Sequence, residues 1–426
     1  MRANVKAFLF CLTGGLALLQ TTAPSVALEI ELDGNVELEM RHFPNEGPMP
    51  TMEQNFVALA AEMELGLYSR DSRHAIIVKP FARYDQHDHE RSHADLREAK
   101  YRYVNRSFEL TIGADKEFWG VTEFLHLVDI VNQTDNVEGT DGEAKLGQVM
   151  VKASYASPYG TVTAYALPHF RIRQFADPET GRPNLGFTVD DNTVLFESGE
   201  TSGRARRVDD VALRYKHSIG AFDIGLSYFD GTAREPQLLL SEPPSPSSQP
   251  VMQAFYADRR QTGLDIQATL GPWLLKFEAL QSTQNRYLGA LASLASPFEE
   301  VTAERATGGI EYSFYNIFNS GTDIGLVMEY MWDEREMAAP HPFGNDIGIG
   351  LRWTANDVQS TAVLIGTIID LDSDTSLISL EAERRIGSNF KAIVEARFQN
   401  ETGEDDIFAA ANEDEGHIRL RLAYYF

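Results

Sequence analysis

The stretch DQHDHERSH, Asp85 to His93, gathers the densest set of metal-competent side chains in the chain. His87 and His89 stand two apart and His93 follows four later, beside Asp85, Asp88 and Glu90, a donor set suited to zinc or copper. Nothing in that spacing fixes a coordination geometry, and an acidic, solvated surface loop accounts for the same residues more simply. A second cluster, Asp135, Glu138, Asp141 and Glu143 in DNVEGTDGE, offers oxygen ligands but misses the EF-hand spacing. Hydrolytic chemistry has no visible seat. There is no GxSxG and no phosphate loop, and no Ser, His and acid stand at a spacing that would activate a nucleophile. The chain does not read as an enzyme, and no cofactor is implied.

A different set of charges is more informative, because each member falls one residue out of step with an apolar series. These are Lys79 and Arg83; Glu98, Lys100 and Arg102; Arg214 and Lys216; Arg352; Glu381 and Glu383; Lys391, Glu395 and Arg397; and Arg419 and Arg421. Glu62, Glu64, Lys152, Lys276, Glu278, Glu311 and Glu329 follow the same rule. A strand has period two, so one face is apolar and the opposite face carries these charges. Neighbouring strands bring opposite signs together, which invites cross-strand ion pairs. A guanidinium also suits an anionic solute.

Stepping along the chain for the same period gives 18 alternating segments, the first around Ile30 to Met40 and the last Ile418 to Phe426. Their connections alternate in kind. SRDSR, VNRS, SPYG, HSIG and LGP are short turns, whereas HFPNEGPMPT, DQHDHERSH and the spans 115–146, 171–206, 231–250 and 400–416 are long and mostly polar. Short turns on one side and long loops on the other describe an all-β transmembrane antiparallel barrel of about 18 strands over residues 28–426. No run of about 18 apolar residues suggests a membrane helix. Residues 1–27 have the basic start, apolar core and small-residue end of a signal peptide. The only cysteine, Cys11, lies within them, so no disulfide framework is available to the rest. A formal charge of −26 removes nucleic acid from the list of partners, because phosphates need a basic face. These readings place the chain in the outer membrane of a Gram-negative bacterium, in contact with lipid and lipopolysaccharide.

The last ten residues, HIRLRLAYYF, alternate strictly and end on an aromatic. Leu422, Tyr424 and Phe426 resemble the C-terminal signal by which the barrel-assembly machinery recognises outer-membrane proteins, and that machinery is the implied partner.

The connection 115–146 is unlike the other loops in having an apolar stretch, Phe118 to Val131. Phe124, Leu127, Val128 and Val131 stand at helix spacing, so a short half-apolar helix is expected to bury that face inside the barrel. Phe118, Trp119, Phe124, Leu127, Val128 and Asp129 are the residues expected to line a constriction. The same stretch resembles a family of proteobacterial outer-membrane β-barrel, porin-like proteins of undefined solute. In that family a strand ending VGRQ precedes WG, an apolar segment and D-x-V-N-P. The matching residues are Ile112-Gly113, Trp119-Gly120, Asp129 and Val131-Asn132; Ala114-Asp115-Lys116 and Gln133 depart from it. The resemblance implies an outer-membrane barrel without naming a cargo.

The expected function is a porin-like channel for small hydrophilic solutes, by diffusion or with substrate selection. The alternatives are a barrel with an enzymatic or surface-binding role, or a gated transporter of one substrate.

Overall fold

The computed structural model describes residues 28–139, 142–184, 186–201, 205–242, 249–289, 292–335, 343–373, 375–400 and 413–426. Residues 1–27, the expected signal peptide, and Asp141 lie outside them.

The chain opens as an antiparallel meander of β1 (Leu28–His42), β2 (Asn55–Ser69), β3 (His74–Asp85), β4 (Ala94–Asn105), β5 (Phe108–Asp115), β6 (Gln148–Ser157) and β7 (Gly160–Arg171). Two short strands, β8 (Thr188–Phe196) and β9 (Gly199–Thr201), leave the wall before β10 (Ala205–Ile219) and β11 (Phe222–Thr232) rejoin it. A second excursion holds β12 (Gln237–Glu242) and β13 (Val251–Tyr256). The wall then continues through β14 (Asp258–Leu270), β15 (Trp273–Tyr287), β16 (Phe298–Phe314), β17 (Asp323–Asp333), β18 (Asn345–Thr354), β19 (Ala362–Asp370), β20 (Ser376–Ile386), β21 (Phe390–Asn400) and β22 (His417–Tyr425). Last pairs with first: Tyr425 stands opposite Asn35 and Ile418 opposite His42. The result is a closed, 18-stranded antiparallel barrel whose strands are the 18 segments read by alternation. The only helical turn among the described residues is the short Ile317–Asn319.

Closure is what allows these sequences to leave water. An open edge would carry unpaired N–H and C=O groups that lipid cannot satisfy; a closed ladder pairs them all. The outward face is an apolar belt in which Leu213, Leu226, Phe277, Leu326, Ile349 and Leu420 are each exposed. Aromatics bound it near the short turns (Trp273, Phe314, Trp353) and toward the other end (Tyr228, Tyr330, Trp332), the amphipathic girdle expected at two headgroup layers.

The long connections are not all plain loops, which corrects the expectation for 171–206 and 231–250. β12, β13, β8 and β9 form a separate four-stranded sheet in that order. β13 runs parallel to β8, with Val251 opposite Thr188 and Tyr256 opposite Phe196. Parallel pairing is natural here because the two strands come from different excursions rather than from one hairpin. The sheet is anchored to the barrel by Phe170, Ile172, Val194, Phe196, Ala254 and Tyr256 on one side. Leu195, Leu239, Phe255, Ala257 and Ala292 anchor the other. It roofs part of the mouth on the long-loop side.

Candidate channel lumen

The connection 115–146 is folded back into the barrel. Its stem is tied by Asn132, whose amide donates to the carbonyls of Asp115 (2.9 Å) and Leu146 (2.8 Å) while its oxygen accepts from Glu117 N (2.9 Å). Asp129 accepts from Trp119 N at 3.2 Å and pairs with Lys145 at 2.9 Å; burial pushes its carboxyl above the usual range, against the pull of that lysine. Trp119 is enclosed by Val128, Ile130, Val131, Met150, Tyr165, Leu167, Ala212 and Phe229, and the Arg214 guanidinium lies 4.8 Å above its ring. The residues of the family-like motif are therefore those that fold this segment. Gly113 and Gly120 adopt φ of 130° and 134°, which favours glycine. A Cβ on Gly120 would also stand 2.9 Å from Glu278 Oε1.

From Trp119 onward the segment follows the inner wall as far as β18 and β19. Two carboxylates hold it by its backbone. Glu278 on β15 accepts from Val121 N (2.6 Å), Thr122 N (3.1 Å), Thr122 Oγ1 (2.8 Å) and Val128 N (3.2 Å). Glu329 on β17 accepts from Glu123 N (2.7 Å) and Phe124 N (3.0 Å). Charge-assisted bonds of this kind are the stronger class, and here they satisfy amides that no ladder reaches. Glu123 in turn meets Lys276 at 3.1 Å and Arg352 at 2.5 Å. Burial would raise its pKa, but the two cations outweigh that and hold it below the usual carboxylate range.

The expected helix is not there: residues 118–131 are turns and irregular chain. Their apolar residues face several walls rather than one. Phe124 reaches β18 and β19, Val128 packs at Gly263 on β14, and Leu127 and Val131 are buried. Phe118 is the outlier of the candidate set, 46% exposed and edge-on to His126 at 4.7 Å.

The downstream part of the same loop turns to the opposite wall. Glu138 takes Arg83 in a forked pair (Oε2 at 2.8 Å from Nη2), beside Arg91, whose Nε donates to Val137 O at 2.6 Å. Arg83, Arg91 and Arg97 outweigh the burial of Glu138 and bring its pKa down to about 2. Glu39, 1% exposed, receives Arg83 (3.0 Å), Arg91 (2.7 Å) and Arg419 (2.7 Å), and Arg41 bonds Asp85 at 3.1 Å. Glu37, Glu39 and Arg41 alternate with Leu38 and Met40, so the period-two rule already pointed them inward; the sequence reading passed over them.

The remaining inward charges pair as follows. Lys79 bridges Glu64 (2.9 Å) and Glu98 (3.2 Å); Lys100 bridges Glu98 and Asp115, each at 2.5 Å. A bulge opposite Lys79 and Pro80 turns both Arg97 and Glu98 inward. Arg214 binds Asp265 at 2.8 Å, Lys391 meets Glu383 at 2.7 Å, and Arg397 faces Glu381 at 3.4 Å. Arg419 and Arg421 share Glu395 at 3.4 and 2.9 Å. Arg102 is half-buried and Lys216 exposed, both on the same inner face.

The histidine cluster does not assemble. His87 stands edge-on to Phe56, and His93 lies against Phe81 and 3.8 Å from Glu138, while Asp85 and Asp88 cap backbone amides of their own loop. Among the described residues no group of three or more His, Cys, Asp or Glu side chains is arranged to hold a metal, His89 included. A cavity of about 550 Å³ lies on the long-loop side, between the 136–139 turn, the roof sheet and Arg397, His417 and Arg419 of the wall.

No protein-family model matches this chain, and no curated protein matches its sequence. Solved structures do match. OccK2 (OpdF) of Pseudomonas aeruginosa, solved in complex with glucuronate, superposes with a TM-score of 0.51 at 12% identity, covering 93% of this chain and 98% of that one. The fold is that of a porin-type barrel. OccK11 (OpdR) of the same organism gives 0.49 at 10% identity, over 94% of this chain and 96% of that one. OmpT of Vibrio cholerae, expressed in the outer membrane, gives 0.45 at 10%, over 95% and 99%.

Proposed function

We propose that this barrel is an outer-membrane channel through which small hydrophilic solutes pass, with segment 115–146 setting its narrowest cross-section. One observation carries the reading: the inward charges on the two sides of the barrel differ in contact with water. Beneath the docked segment, Glu278 and Glu329 are 0% and 1% exposed. On the side it leaves open, the side chains of Glu64, Glu381 and Glu383 face inward yet are 39%, 47% and 42% exposed. Eighteen strands enclose more space than side chains fill, and here that space is lined by ionised groups. The loop divides the lumen into a packed half and a wet half, and the wet half is the path.

Two parts of this proposal concern partners. The apolar belt is a surface for lipid, with lipopolysaccharide on the long-loop side. The terminal strand, with Leu422, Tyr424 and Phe426 outward, is the element offered to the barrel-assembly machinery. Single-channel recording in a planar bilayer tests the central claim. Discrete conductance steps are expected, and deletion of residues 118–131 should enlarge them. A correctly folded barrel that carries no current overturns the proposal.

A further inference from the structure

The ladder that closes the barrel does not run the full length of β1. Its pairing with β22 begins at Asn35, opposite Tyr425, and Gly34 exchanges backbone bonds with Phe426 at 3.2 and 3.1 Å. Below that point β1 still pairs with β2, from Asp33 opposite Glu64 to Leu28 opposite Ser69 at the first short turn. On its other edge, no strand among the described residues meets Leu28–Asp33. Side-chain exposure records the missing neighbour. Ile30 is 67% exposed, whereas Leu213, Leu326 and Leu420, on strands flanked on both sides, are 47%, 46% and 46% exposed.

Alternation says which backbone groups are free. An antiparallel strand turns its N–H and C=O to one side and then the other at successive residues. Gly34 faces the seam, so Leu32, Ile30 and Leu28 turn theirs the same way, and Asp33, Glu31 and Glu29 bond to β2. Unpaired groups of this kind cannot sit in hydrocarbon, which places the stretch at the wet rim on the short-turn side. An exposed edge of this sort is a template for one more strand.

The side chains say which strand fits. Leu28, Ile30 and Leu32 continue the apolar outer face. Glu29, Glu31 and Asp33 carry exposed carboxylates on the inner one, without an ion-pair partner among the described residues. Residues directly opposite in a ladder share a face. A fitting strand therefore sets Lys or Arg against the carboxylates and apolar side chains against Leu28, Ile30 and Leu32. A second copy of this edge does not fit. In antiparallel register it brings carboxylate against carboxylate, and like charges directly opposite destabilise a sheet.

We propose that the edge Leu28–Asp33 docks an extended segment of a periplasmic protein, one in which basic and apolar residues alternate, by strand addition. The inference stands on the seam and does not depend on whether the barrel conducts.

The test is fluorescence anisotropy on the full-length barrel in phosphatidylcholine nanodiscs. The labelled probes are a hexapeptide alternating lysine with leucine, and its counterpart with glutamate in place of lysine. The lysine peptide should bind saturably above empty nanodiscs, and the glutamate peptide about tenfold more weakly or worse. Ile30→Pro removes one seam-facing donor at a position where an edge strand tolerates proline. It should weaken binding about tenfold and leave the heat-modifiability gel unchanged. Glu29→Lys combined with Glu31→Lys leaves the backbone alone and should reverse the preference between the two peptides; it carries the test if the proline variant does not fold. No saturable binding, equal affinity in a folded Ile30→Pro barrel, or an unreversed preference overturns the proposal. The last two are the results that a lysine peptide lodged in the charged lumen would give. A dimer present in the parent and lost in Ile30→Pro assigns the edge to a second copy and overturns it likewise.

Discussion

The ring of Phe124 occupies the space that a side chain on Gly348 would need: a Cβ there would lie 2.5 Å from the ring's Cδ2. Gly366 and Gly350 complete the slot, with a Cβ 3.3 Å from Cε1 and 3.6 Å from Cζ. Three glycines on β18 and β19 thus admit an aromatic tip that begins its path at β5. The tip is placed by an absence of side chains on the wall as much as by its own bonds.

Gly348→Val should evict that tip. Overpacking of this kind costs about 1–3 kcal/mol, enough to free the end of the segment while the barrel, whose ladder is untouched, stays folded. The measurement is unitary conductance beside a heat-modifiability gel. A larger conductance with an unchanged gel shift is expected, and an unchanged conductance would mean the tip does not bound the path.

Glu278→Gln and Glu329→Gln should loosen the segment by a different route. A hydrogen bond to a charged group is worth about 1.5–3 kcal/mol. Glu278 takes four bonds from the segment, so its replacement should have the larger effect. Hydrogen exchange over residues 121–128 should rise in both variants. If it rises equally, the two carboxylates act as one clasp.

Acid should release the opposite end. Glu138 is held at about 2, below its unfolded value, so its stabilising share is complete above the ordinary glutamate range and falls away as pH drops toward about 2. The share is on the order of 3 kcal/mol. Current noise or exchange over residues 132–139 should therefore increase between roughly pH 4.5 and 2. In Glu138→Gln that increase should already be present at neutral pH.

Removal of Phe426 should impair assembly more than it impairs the assembled barrel. Its backbone pairs with Gly34 in both directions, at 3.2 and 3.1 Å, and its ring covers Gly34 where a Cβ would come within 2.7 Å. The yield of heat-modifiable barrel in the membrane fraction should fall, while the conductance of the few barrels that do assemble should match the parent.

How much of this could be read in advance follows from what each pattern obeys. Every wall strand was legible, because lipid on one side and water on the other impose one period along the whole chain. Glu39 and Arg41 obey that period too, alternating with Leu38 and Met40. The segment 118–131 misled for a physical reason. Phe124 and Val128 are four apart, as on a helix face, but they pack against β18–β19 and β14, so the spacing records two contacts with a curved wall and not one stripe. The clasp of Glu278 on the amides of Val121 and Val128 joins stretches 157 and 150 residues apart, a juxtaposition that no local pattern carries. The same is true of the pairing between β8 and β13.

That last pairing bears on what the outside world meets. The parallel pair of the roof, β8 and β13, comes from stretches more than fifty residues apart and packs over Phe170. The surface shown to an antibody, a phage or a neighbouring cell is thus a composite epitope. A synthetic peptide of either excursion alone would present only half of it, and reagents raised against such a peptide would report unfolded chain in preference to the assembled protein.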